Sequence, residues 1–150
     1  MITDFDDFKK NSGLNDDIFN SIIQFYQAWE TNDDAIIDKL CSPDWEDIPL
    51  APGQPKGPQG LKNLISFFKG TFPDIKVNIR DVFGTAERVA VRGELVFTHD
   101  KAFMDIPPSN QKVNIQMFEM HHIRNGKITH TWHLEDWFGL LSQSLEAKKA

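Results

Sequence analysis

The 150-residue chain has a single cysteine, Cys41. An intrachain disulfide is therefore excluded, and so is any cysteine-rich zinc site. No run of lysine and arginine is present to follow a phosphate backbone. The 16 basic residues are outnumbered by 22 acidic ones, giving a formal charge of -6. That balance argues against nucleic acid or an anionic membrane as a partner. No stretch of about 20 apolar residues could span a bilayer. The opening MITDFDDFKKNSG lacks a basic segment followed by an apolar one, so no signal peptide is expected. A soluble, cytoplasmic protein is the expectation. Also missing are a glycine-rich phosphate cradle, a GxSxG elbow, a Rossmann fingerprint and HExxH.

What the chain does have is aromatic rings: twelve Phe, four Trp and one Tyr. Rings on this scale supply most of a core and can also wall a cavity. With 40% hydrophobic and 25% charged residues, the composition is that of one globular domain, and no linker or repeat divides residues 1–150.

The first half reads as helical. Asn15 is placed to cap DDIFNSIIQFYQAW, in which Ile18, Ile22, Phe25 and Trp29 recur near the 3.6-residue period and Ile23 and Tyr26 widen the stripe. A second helix starts at Asn32 or Asp33, carries Ile36, Ile37 and Leu40 inward, and ends at Ser42-Pro43. Residues 44–59 hold four prolines and read as a shaped loop with a short strand around Trp45 to Ile48. A third helix spans Gly60 to Gly70. The period then changes to 2: strands are expected at Ile75–Arg80, Glu87–His99 and Lys112–Ile123. Asn125-Gly126 turns tightly into a last strand, KITHTWHLED. A short helix, WFGLLSQ, follows, and the tail EAKKA is expected to fray. Helices first and strands after them make an α+β domain, with a helical layer over a curved antiparallel sheet.

Strand parity selects the chemistry-bearing residues, because alternate side chains share a face. Val113, Ile115, Met117, Glu119, His121 and Ile123 fall on one face, so a carboxylate and an imidazole sit on an apolar row. Such groups need partners or undergo pKa shifts, and either outcome suits acid–base work. By the same count His99 joins Leu95 and Phe97, and Arg92 joins Glu94 and Val96, which makes an Arg92–Glu94 ion pair an open alternative. Asp136 follows Trp132 and Leu134 if the last strand stays regular. Asp136 could equally cap the helix that follows. His121 and His122 point to opposite faces and cannot share one ion; no metal site is expected.

The order of elements, with FPD at 72–74, ERVAVR at 87–92, TH followed by Phe103 and IPP, NGKI, and the WxxxDxxGLL pattern from Trp132 to Leu141, resembles the SnoaL-like polyketide cyclase family within the nuclear transport factor 2-like fold. The resemblance covers roughly residues 18 to 143. It implies a cone-like α+β barrel, with a strongly curved antiparallel sheet covered by N-terminal helices around a central pocket. It implies an acid–base reaction without cofactor or metal, of the aldol-type cyclase kind, and a homodimer that pairs outer sheet faces. Asp136 is the position most like the family's acid–base aspartate, with His99, His121 and Glu119 as further catalytic candidates. Phe25, Trp29, Trp45, Phe67, Arg92, Phe103 and Trp132 are the candidate lining for a small apolar or aromatic ligand. An isomerase, a dehydratase or a hydrolase working through bound water fits the same pocket, as does a carrier or dimerisation domain without catalysis. The chain departs from the family pattern at His133, where relatives usually carry glycine, at His121-His122 and at Ser109-Asn110.

Overall fold

A computed structural model describes residues 5–149. The elements run α1 (Phe5–Ser12), α2 (Asp16–Thr31), α3 (Asp34–Leu40), β1 (Cys41–Ile48), α4 (Pro58–Thr71), β2 (Lys76–Gly84), β3 (Arg88–Thr98), β4 (Lys112–Arg124), β5 (Lys127–Glu135) and α5 (Trp137–Lys149). Local chemistry sets several boundaries. Asn15 caps α2 by accepting from the Ile18 amide, and Asp33 caps α3 by accepting from the Ala35 amide. Asn32 ends α2 in the left-handed conformation, one that asparagine tolerates better than most residues. Pro58 starts α4 at a position where its missing N–H costs nothing.

The five strands form one sheet in the order β1-β5-β4-β3-β2. Strands β2 to β5 are antiparallel neighbours, whereas β1 lies parallel to β5. The sheet is therefore mixed and open. This corrects the expected cone-like barrel with a strongly curved antiparallel sheet. Closure would require β1 to pair with β2, yet these are the two edges, and α4 packs beside β1 while α1 packs beside β2. Pro43 is accommodated inside β1 because an edge strand needs only one side of its ladder. Helix α1 was not anticipated, and α5 continues to Lys149 through the segment expected to fray.

Helices α2 and α4 bury their apolar stripes against one face of the sheet. The core between them contains Phe19, Ile22, Phe25, Ile65, Phe68 and Phe72, facing Val91, Phe97, Ile115 and Met117. Rings occupy much of the space expected as a central pocket: Trp45, Phe19, Phe72 and Phe97 are almost fully enclosed. The opposite face of the sheet carries exposed Phe83, Phe118, Met120, Trp132 and Leu134. A groove of about 630 Å³ runs along that outer face and is lined by several of these side chains together with Arg92 and Pro49.

Candidate active site

Strand β4 pairs with β3 without interruption from Lys112 to His122, so its alternation holds along that whole length. Glu119 and His121 consequently both face the helices. Helix α2 delivers Tyr26 to them. The Tyr26 hydroxyl lies 2.5 Å from Oε2 of Glu119, to which it donates, and 2.7 Å from Nε2 of His121. On the other side of the imidazole, Nδ1 lies 2.9 Å from the Thr131 hydroxyl, and the Trp45 indole N–H donates to that same hydroxyl at 3.1 Å. Phe25 closes the group edge-on, with its ring centroid 5.1 Å from that of His121.

Burial dominates the electrostatics. It pushes the Glu119 carboxyl up to about 7, against a donated hydrogen bond from Tyr26 and the attraction of His133, both of which favour the ionised form; Glu135 and Asp47 add to the rise. Burial also lowers His121 to about 3, so the ring is neutral at physiological pH. The Tyr26 hydroxyl is raised well above its usual value, first by burial and then by Glu119. A carboxyl near 7 can give or take a proton under neutral conditions.

A second group adjoins the first. His133 is the cross-strand partner of Glu119. Its Nδ1 is 2.8 Å from Glu135, its Nε2 is 2.7 Å from the Pro49 carbonyl, and Nε2 is 3.3 Å from Asp47. Burial opposes its charge, but hydrogen bonding to Glu135 and attraction to Glu135 and Asp47 prevail and raise it to about 9. His133 is thus a cation at neutral pH. Asp47 is itself raised by burial and accepts from Gln54, whose own carbonyl oxygen accepts from the Ala51 amide. Glu119 retains 10% of its side-chain surface in contact with solvent, and His133 retains 18%. The two groups therefore reach the surface together where β1 ends.

The other predicted residues are distributed differently. Trp45 and Phe25 belong to the site. Trp29 and Phe103 pack on Phe68 in a neighbouring ring cluster that includes Trp137. His99 is fully buried near Phe72 and touches the hydroxyls of Ser109 and Ser144 through Nδ1. Phe67 is exposed. Arg92 turns to the outer face, where it pairs with Asp81 rather than Glu94; Glu94 pairs with Arg80. Trp132 also faces outward, and Asp136 is exposed, with Oδ1 accepting from the Gly139 amide at the start of α5. Parity fails here because β5 carries a bulge: Ile128 pairs with Ile123 but His130 with His122, so Thr129 is an extra residue and every later side chain changes face. Among the described residues, no group of three or more His, Cys, Asp or Glu is placed to hold a metal ion.

Tyr26, Asp47, His133 and Glu135 are the components that sequence reasoning did not assign. Tyr26 offered one signal. A tyrosine on the buried stripe of a helix has a hydroxyl that needs a partner, and a carboxylate on an apolar strand face has the same need.

A helical layer that holds ionisable groups and aromatic rings against one face of a sheet, with Glu119 and His133 keeping some contact with solvent, is consistent with a small-molecule site. The chain belongs to the SnoaL-like polyketide cyclase family, whose model matches residues 20–144. This family generally carries out cofactor-independent reactions on small apolar or aromatic substrates, and membership supports a general enzymatic role of the cyclase or isomerase type. The chain is similar to a candidate polyketide cyclase from Bacillus cereus ATCC 10987, with 27% identity and a TM-score of 0.74 over 85% of this chain and 80% of the other. It is similar to IdmH, a candidate polyketide cyclase from Streptomyces antibioticus, with 27% identity and a TM-score of 0.74 over 84% and 96% of the two chains. TsrD from Streptomyces laurentii shares the fold at 18% identity, with a TM-score of 0.76 over 85% and 94%. No curated protein matches the chain. Among the described residues no helix is long and apolar enough to cross a membrane.

Proposed function

We propose that the protein is an acid–base enzyme acting on a small cyclic or aromatic carbonyl compound, with Glu119 as the group that moves the proton. The supporting observation is the carboxyl itself: it is held near 7 by burial, hydrogen-bonded on one oxygen by Tyr26, and partly open to solvent beside His133. In this reading Glu119 accepts a proton from a carbon next to the carbonyl and returns it later in the cycle. That sequence serves an aldol-type ring closure and an isomerisation equally. The His133 imidazolium supplies positive charge near the place where negative charge develops. His121, neutral and enclosed, orients Tyr26. Asp136 serves α5 as its N-terminal cap. The outer sheet face, with Phe118, Met120 and Leu134 exposed, is the surface we assign to pairing with a second copy.

The experiment is proton exchange. A panel of cyclic and aromatic ketones is incubated with the protein in heavy water, and loss of the α-proton signal is followed by NMR. Replacing Glu119 with glutamine keeps the size and the acceptor for Tyr26 but removes the proton carrier. Exchange should fall by about 10²- to 10⁴-fold, the usual contribution of a positioned acid or base. Undiminished exchange in a folded Glu119→Gln protein would remove Glu119 from the mechanism. Binding of ketones without exchange in the unaltered protein would favour a carrier.

A further inference from the structure

We infer that the side chains from Trp45 to Glu119 form a hydrogen-bond chain with one fixed direction. That direction holds His121 as the Nε2–H tautomer and makes Tyr26 a positioning residue that reserves Oε1 of Glu119 for proton exchange. The catalytic meaning rests on the reading of Glu119 above; the direction of the chain does not.

Trp45 is the one member of the chain with no choice. An indole N–H only donates. Trp45 is fully buried and its N–H is directed at the Thr131 hydroxyl oxygen, 3.1 Å away. Thr131 has a single proton to give, and among the described residues the other polar contact of its hydroxyl is Nδ1 of His121 at 2.9 Å. Thr131 and His121 are both buried, so a proton not given to Nδ1 would have no acceptor, which is the costlier arrangement. Nδ1 is therefore the acceptor nitrogen. A neutral imidazole then carries its proton on Nε2, which is 2.7 Å from the Tyr26 oxygen and donates to it. That leaves the tyrosine proton for Oε2 of Glu119 at 2.5 Å. Each link follows from the one before it.

The reverse direction fails on the same count. It would need the Glu119 proton on Oε2, the imidazole proton on Nδ1, and a Thr131 hydroxyl receiving two donors with nothing to accept its own proton. With the forward direction Oε2 is an acceptor whether or not Glu119 is protonated. The exchangeable proton is then carried by Oε1, an oxygen without a hydrogen-bond partner among the described residues, on a side chain that stays partly open to solvent.

Two NMR measurements on the full chain test this without any substrate. In protein labelled with ¹⁵N histidine, long-range proton–nitrogen correlations identify the tautomer, and the His121 signals are assigned by their loss in His121→Gln. We expect Nε2–H with Nδ1 unprotonated from about pH 5 to 9, given the buried neutral ring. The Nδ1–H tautomer would overturn the chain direction. In protein labelled at the glutamate carboxyl carbon, Tyr26→Phe should move the Glu119 titration upward by about one pH unit, a tenfold rise in proton affinity, because the donor to the ionised form is gone. The rise of the exchange rate with pH should move with it. A titration left in place would overturn the role of Tyr26. Because the tautomer is read on the unaltered chain, a poorly folding Tyr26→Phe variant does not shield the inference. A protein that exchanges no ketone would refute the proposed function and leave these two readings standing.

Discussion

Replacing Glu119 with glutamine should stabilise the protein at alkaline pH, and the size of the effect follows from the balance at the site. Five influences favour or oppose the ionised carboxyl. Tyr26 and His133 pull its value down, while burial and the neighbouring carboxylates Glu135 and Asp47 push it up. Burial prevails, and the value moves from 4.5 to about 7. The sign follows from proton counting. Between 4.5 and about 7 the unfolded chain has released this proton while the folded chain still holds it. The contribution of Glu119 to stability is thus fully present below 4.5 and is lost as pH rises to about 7. Each pH unit across that interval is worth about 1.4 kcal/mol, so the loss approaches about 3 kcal/mol by pH 8. Glutamine does not titrate, and its carbonyl oxygen can still accept from Tyr26. Urea unfolding followed by tryptophan fluorescence, performed on both proteins from about pH 4.5 to 8.5, yields the difference directly. The two should be nearly equal at the acid end, diverge through the interval, and level off with the variant more stable by about 3 kcal/mol. A flat difference, or a wild-type advantage at pH 8, would mean that Tyr26 and His133 outweigh burial and that the carboxyl is an ordinary ionised one.

The remaining expectations concern the surroundings of Glu119. His133 is raised from 6.5 to about 9, so the stability it provides is present below 6.5 and lost as pH rises through about 9; His133→Gln should flatten the fall of the urea midpoint across that window. Asp136→Asn should leave both α-proton exchange and stability nearly unchanged, since asparagine caps about as well, whereas Asp136→Ala should cost about 1 kcal/mol in urea unfolding. Phe118→Asp on the outer sheet face should shift sedimentation at micromolar concentration from dimer to monomer while leaving exchange measurable; a wild type that sediments only as monomer would count against the pairing surface.

How much of this was legible in the sequence depends on whether each feature is set locally. The caps at Asn15 and Asp33, the apolar stripe of α2 and the tight turn at Asn125-Gly126 are short-range, and each lies where its residues suggest. The placement of β1 is not short-range. A short strand around Trp45 to Ile48 was expected inside a shaped loop, but nothing within Cys41–Ile48 specifies β5 as its parallel partner, and the closed antiparallel barrel that the family resemblance implied gives way to an open mixed sheet. Membership of the family was legible because its motifs are themselves local strings.

The site shows the same division within a single hairpin. Period-2 counting carries Glu119 and His121 inward correctly because β4 meets β3 with no register shift from Lys112 to His122. The same counting carries Trp132 and Asp136 inward wrongly because one extra residue at Thr129 reverses every face beyond it. That single residue exchanges the two candidate acids. It turns Trp132 and Leu134 toward solvent, and it brings Thr131, His133 and Glu135 to the side of the sheet that holds Glu119. Without the bulge His133 would lie on the outer face and Glu119 would lose its nearest cation. Thr131 would no longer reach His121, and the hydrogen-bond chain that begins at Trp45 would have no second link. The bulge in β5 is therefore what lets this sequence assemble the site. Deleting Thr129 should leave the site in place, because the deletion removes only the extra residue and keeps His130 opposite His122, Thr131 opposite His121 and His133 opposite Glu119. In that variant the Glu119 carboxyl titration should stay where it is, since Tyr26, His133 and Glu135 all keep their places around it. A Glu119 titration displaced by the deletion, in a protein that still folds, would show that the register of β5 against β4 is not what holds the site.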